Sequence, residues 1–111
     1  MKRIALMVVS VVACAGFAMT AAGAEIAGSE VFMQYCSYCH GSEESPGTQQ
    51  LRRIRGADKA LLARRTDLAP DYVEYVIRHG LRSMPPFVPS DLTEAKLKAL
   101  AGFLTSPLPR Q

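Results

Sequence analysis

An all-α domain of about four short helices is expected from this sequence of 111 residues, and three observations carry that expectation. Apolar residues recur at one-face helical spacing in four separate stretches, and no stretch alternates convincingly as a strand would. Clusters of Gly, Pro and Ser divide those stretches at short intervals. One segment, "LRSMPPFVPSD", cannot be helical, because three prolines in five residues remove backbone donors and fix backbone angles. The outcome is a small helical domain wrapped around a long extended loop.

The first stretch lies outside that domain. Lys2 and Arg3 precede the apolar run "IALMVVSVVACAGFAM", and Ala22 and Ala24 frame a cleavage after Ala24. A short basic region, an apolar core and small residues at the boundary make residues 1–24 an expected cleaved signal peptide and 25–111 the exported domain. A retained membrane anchor is the alternative; the run is short, Ser10 interrupts it and no basic stop-transfer cluster follows. A lipid anchor through Cys14 is another, since "VVAC" resembles a lipoprotein processing box, but the residues after it stay apolar where a polar tether is needed.

In the exported part, Ser29 can cap a helix from Glu30 to about Cys39, with Val31, Phe32 and Tyr35 on one face. "GSEESPGT" breaks it. "ADKALLARR" reads as a second helix with Asp58 as cap and Arg64 and Arg65 in its last turn. Pro70 suits the first position of a third, "PDYVEYVIRHG", with Tyr72, Val73, Val76 and Ile77 apolar, Arg78 and His79 near its end and Gly80 as terminator. Thr93 caps "EAKLKALAGFL", in which Leu97, Leu100, Ala101 and Leu104 form the stripe, Phe103 sits on its shoulder and Pro107 ends the helix.

Processing changes the accounts. Losing Lys2 and Arg3 leaves 11 basic residues against 10 acidic ones, a charge near +1. Neither a basic helix nor aromatic-basic interleaving is present, so nucleic acid is not an expected partner, and no membrane span is expected after processing. Only Cys36 and Cys39 remain of three cysteines, and only Met33 and Met84 of five methionines. A chain this small struggles to build a sufficient core, and two cysteines three apart close too short a loop to staple it. Something else should fill the middle.

"CSYCH" at 36–40 identifies it. Two sulfurs one helical turn apart can add to the two vinyl groups of haem, while the adjacent imidazole of His40 reaches the iron from the same side. A thiol redox pair of thioredoxin type needs a strand–helix context that is missing here. Zinc needs three or four ligands, and only Cys36, Cys39, His40 and the distant His79 are available. For the second axial position Met84 is the candidate, 44 residues after His40, where Pro85 and Pro86 stiffen the chain and let a thioether be held without a helix. His79 and Met33 are the alternatives, one a histidine suited to a helix C-terminus and the other a packing residue.

The sequence resembles a small class I cytochrome c over nearly the whole exported part. Gly28 and Phe32 stand eight and four residues before Cys36, where that family packs its first helix on its last, and Leu100 and Phe103 match the leucine and aromatic of the partner helix. The resemblance implies the small cytochrome c fold around one covalently attached haem c, in an electron-transfer protein and not an enzyme. Its site residues would be Cys36 and Cys39 as thioethers, His40 as proximal ligand and Met84 as distal ligand. "DLAPDYVEYVIRHGLRSMPPF" followed by "DLTEAKLKALAGFL" further resembles the cytochrome subunits of flavin-dependent phenol dehydrogenases of the p-cresol methylhydroxylase type.

That finer likeness implies a periplasmic carrier that takes single electrons from a flavoprotein dehydrogenase and passes them to a terminal oxidase or another cytochrome. A freely diffusing respiratory carrier is the alternative, and a five-coordinate haem protein for gas or peroxide a further one. Histidine–methionine ligation raises the haem potential, because a thioether favours ferrous iron. Arg52, Arg53, Arg55 and Arg82 are candidates for propionate contact, with a solvated surface position the favoured alternative for any single one. The family's Gly-Pro pair after the haem motif, whose proline carbonyl holds the proximal histidine, is replaced here by "SPGTQQL", so the resemblance does not assign that role to Pro46.

Overall fold

The structure is a computed structural model, and it describes residues 23–109. The expected leader and Cys14 therefore lie outside the described residues, apart from Gly23 and Ala24. Five α-helices follow one another: α1 (Gly28–Tyr35), α2 (Ser37–His40), α3 (Pro46–Arg55), α4 (Pro70–His79) and α5 (Glu94–Thr105), with single 3-10 turns at Ala57–Lys59 and Leu62–Arg64 between α3 and α4. Among the described residues there is no strand, and no helix is long and apolar enough to cross a membrane. The architecture is the all-α one expected.

The core lies where α1 and α4 meet α5. Val31 and Phe32 from α1, Val73 and Ile77 from α4, and Leu97, Leu100, Ala101 and Leu104 from α5 are buried together with Leu92. Gly28 lets α1 approach closely, since a Cβ there would run into the Ala99 carbonyl and the Phe103 side chain. One turn on, the Phe32 and Phe103 rings meet at 5.8 Å, so the helix pairing expected from Gly28, Phe32, Leu100 and Phe103 is present. On the other flank Lys98 Nζ donates to Glu74 at 2.6 Å, tying α5 to α4.

Several local features are those the sequence predicts. Pro70 opens α4, Gly80 ends it with φ +76°, and the Thr93 hydroxyl accepts from the Lys96 amide to cap α5. Others need correction. The helix expected from Glu30 to Cys39 begins at Gly28, so Ser29 is inside it rather than its cap, and it breaks at Cys36, where φ is −117°. Ser37 Oγ donates to the Met33 carbonyl at 2.6 Å, and this side-chain bond accompanies the break. The helix expected over 57–65 is two separate 3-10 turns, in which Asp58 caps nothing. Met33, expected to pack, is 65 % exposed.

The largest difference is α3. "SPGT" carries a turn composition, yet Pro46 occupies the first position of a ten-residue helix that Gly56 ends at φ +93°. Its sequence shows little apolar periodicity because it buries only Thr48 fully in protein; the face carrying Gln50, Leu51 and Ile54 turns toward a cavity instead.

Candidate functional site

The break at Cys36 sets the geometry of the motif. His40 N–H donates to the Cys36 carbonyl at 2.9 Å and Cys39 N–H to the same carbonyl at 3.1 Å, so the second cysteine and the histidine turn together on the short α2. Cys36 and Cys39 are free thiols, the first half-buried and the second exposed. Burial, with the neighbouring Cys39 second, pushes the Cys36 thiol up to about 11. Burial also lowers the pKa of His40, which favours the neutral imidazole that a metal ligand must be.

Two adjoining cavities open beside this motif. The larger, about 430 Å³, is lined by Cys39, His40, Gly47, Leu51, Ile54 and Met84 among others. The smaller, about 100 Å³, reaches Cys36, Leu62, Tyr72, Val73 and Ile77. His40, Leu51, Leu81 and Met84 line both. The structure thus brings the two expected axial residues to one apolar space, with both cysteines at its edge.

Backbone geometry delivers Met84 there. After Gly80, Leu81 and Met84 exchange both backbone hydrogen bonds, at 2.9 and 3.0 Å, around Arg82 at φ +55°. Phe87 N–H then donates to the Ile77 carbonyl of α4 at 2.8 Å. Gly80 is required at this turn for two reasons: its φ is positive, and a Cβ would come to 2.7 Å of the Met84 carbonyl oxygen.

His79 is not brought to the space. It is exposed on α4, stacked on Tyr75 at 4.2 Å, with Nδ1–H donating to the Tyr75 carbonyl at 2.8 Å, and it lines neither cavity. Among the described residues no three His, Cys, Asp or Glu side chains group as a metal site. Of the four arginine candidates for propionate contact, Arg82 lines the larger cavity; Arg52 pairs with Glu43, and Arg53 and Arg55 are exposed outside both, as solvated surface residues are. Arg65, read from sequence only as a cation in the last turn of a helix, lines the smaller cavity with its side chain 12 % exposed. It donates to Asp67 through Nε and Nη2 at 2.8 and 2.9 Å. Asp67 two residues on is the signal that marks it, hidden by reading 57–65 as one helix.

Haem fits these residues. Largely apolar walls, two thiols at the edge, a neutral imidazole and a thioether lining one space are the set that an axially ligated, thioether-linked haem needs. The Nδ1 of His40 is buried with no protein partner, so Pro46 does not supply the acceptor that the family pattern provides. Instead Gly47 lies against the ring: a Cβ there would come to 2.6 Å of His40 Cε1 and of the Cys39 carbonyl oxygen, and 3.0 Å of Nδ1. Contact with the first turn of α3, not a hydrogen bond, holds this ring in place.

Such a helical shell around a CXXCH motif and a facing methionine is the form of a class I c-type cytochrome. Residues 23–104 match the family model described as cytochrome C oxidase, cbb3-type, subunit III, and the chain belongs to that family of cytochrome c domains. No curated protein matches the chain. Membership makes it a monohaem c-type electron carrier with covalently bound haem c and redox proteins as partners.

Proposed function

We propose that Cys36 and Cys39 form the haem thioethers, that His40 and Met84 fill the two axial positions, and that residues 25–111, freed of a signal peptide at 1–24, work in the periplasm. The observation that carries this reading is that His40 and Met84 both line both cavities. The bound haem supplies one-electron exchange at its iron. The residues do the rest. Gly47 fixes the His40 ring, the Leu81–Met84 turn aims the thioether, Leu51, Leu62 and Ile77 exclude water, and Arg82 places positive charge at the wall of the larger cavity. With His40 and Met84 both holding the group, no position would be left for a substrate, and the chemistry it would supply is electron exchange.

The donor we propose is a flavoprotein dehydrogenase acting on phenolic compounds, and the acceptor a terminal oxidase or another cytochrome. The support is the likeness of residues 67–104 to cytochrome subunits of the p-cresol methylhydroxylase type. A second reading rests on the family match: its description names a subunit of an oxidase, so the donor would be another carrier and the acceptor the oxidase itself.

Optical spectra of the haem-loaded protein beside a Met84→Ala variant test the ligand set. A weak near-infrared sulfur–iron band in the oxidised protein, absent in the variant, is the expected result; a high-spin spectrum indifferent to Met84 would mean an open iron and end the carrier reading. Purification from the native host separates the partners. Co-elution with a flavoprotein whose phenolic substrate reduces the haem supports the first donor, and co-elution with a membrane oxidase the second.

A further inference from the structure

From its sequence context Arg78 is a cation in the last turn of α4, suited to the helix dipole. Its contacts assign it more. Its side chain is only 17 % exposed. Nη1 donates to two backbone carbonyls beyond the Met84 turn, Phe87 at 3.0 Å and Leu92 at 2.8 Å, and Nη2 donates to Glu94 at the start of α5 at 2.6 Å. One planar guanidinium thus joins the end of α4, the loop after Met84 and the first residue of α5, a reach that a lysine ammonium cannot reproduce with one fixed geometry.

We infer that Arg78 is a positioning residue for Met84, setting how firmly the methionine stays at the iron. This rests on the reading of Met84 as distal ligand. The loop has two sets of attachments. Upstream, Leu81 and Met84 bond each other around one turn, which shapes the turn without anchoring it to anything else. Downstream, the Phe87 amide bonds the Ile77 carbonyl, and Arg78 takes the carbonyls of Phe87 and Leu92. Both downstream anchors come from neighbouring residues of α4.

Pro85 and Pro86 lie between Met84 and Phe87 and restrict two of the intervening backbone angles, so a displacement of Phe87 passes to Met84 with little slack. Removing the guanidinium leaves two part-buried carbonyls without their donor and loosens the loop from α4. The core residues of α4, Val73 and Ile77, are untouched. The expected consequence is local: the sulfur leaves the iron more readily while the helices stay paired.

The test uses the haem-loaded protein with Arg78→Met and Arg78→Lys, and Lys98→Met as a control that removes the exposed Lys98–Glu74 pair between the same two helices. Each is heated while the near-infrared sulfur–iron band and the helical circular dichroism are followed together, and carbon monoxide binding to the ferrous form is timed. In Arg78→Met the band should vanish well before helicity, with the methionine-detached fraction up about 10- to 100-fold, the effect of losing one or two charge-assisted hydrogen bonds. Carbon monoxide binding should quicken in proportion. Arg78→Lys should fall between, and Lys98→Met should match the parent.

Band and helicity lost together in both Arg78 variants, or both variants failing to hold haem, would make Arg78 a general stabiliser and overturn the inference, as would an unchanged carbon monoxide rate. A parent protein with no sulfur–iron band would overturn the Met84 reading itself, and that failure is visible before any Arg78 variant is made.

Discussion

The two halves of this domain are held by different means. Where α1 and α4 meet α5, nine apolar side chains bury one another, two aromatic rings touch, and a glycine admits a close helix approach. On the other side, α3, the two 3-10 turns and the Met84 loop surround cavities and leave polar atoms such as His40 Nδ1 and Thr48 Oγ1 buried without protein partners. Protein packing accounts for most of the first half, although Val73, Ile77 and Leu104 also line the smaller cavity. The second gains its missing packing partner from the haem that the family carries, since an apolar wall without facing atoms loses its dispersion contacts.

Removing the haem linkage should break this comparison most. A Cys36→Ala, Cys39→Ala double variant, unable to form either thioether, is expected to lose hydrogen-exchange protection across 46–68 and the Met84 loop while amides of α5 remain the slowest. Uniform protection, or uniform loss, would show that the halves are one cooperative unit. Next in size is Leu100→Ala, a fully buried side chain on α5. It should cost about 2–5 kcal/mol of stability and lower the melting temperature, with the oxidised haem spectrum unchanged below the transition.

Gly47→Ala acts on the other half. The added Cβ meets the His40 ring, so the ring or the first turn of α3 must shift. The expected outcome is a changed pattern of haem-methyl shifts in the ferric NMR spectrum, which reports the plane of the axial imidazole. Gly102→Ala, with open space around it, should leave that pattern alone.

The smallest effect is a pH dependence. Arg65 and then Lys59 hold the Asp67 carboxyl well below the usual carboxylate range. A depressed folded-state pKa gives stability that is present above the unfolded carboxyl's value and lost as pH falls through the folded one. The pair lies near the surface and is screened, so the effect is modest. Asp67→Asn should remove this part of the acid sensitivity, seen as a shallower loss of melting temperature below about pH 4. An unchanged acid slope would mean that the Arg65–Asp67 contact adds nothing to this half.

What was legible in the sequence divides along the same line. Pro70, Gly80 and Thr93 act on their own backbone, and the stripe Leu97, Leu100, Ala101, Leu104 is buried in the core, so each could be read from neighbours in the chain. The CXXCH motif was legible because its chemistry is local. Helix α3 was not, because Leu51 and Ile54 face a cavity and no protein core imposes a full apolar stripe on "PGTQQLRRIR". The break at Cys36 depends on one hydroxyl, Ser37, finding the Met33 carbonyl, which spacing does not reveal. Arg65 was hidden for a related reason, since its place at the smaller cavity follows from a 3-10 turn whose composition is that of a helix.

The pairing of α1 with α5 also imposes an order in time. A ribosome makes the chain from its N-terminus, so Val31 and Phe32 exist long before Leu100 and Phe103, the surfaces they need. Until Glu94–Thr105 has emerged, α1 has no lasting partner and Cys36 and Cys39, a few residues beyond it, sit on an unclosed chain. The twelve residues of α5 therefore serve as a latch made last, and the thiols keep their period of easiest access until it shuts.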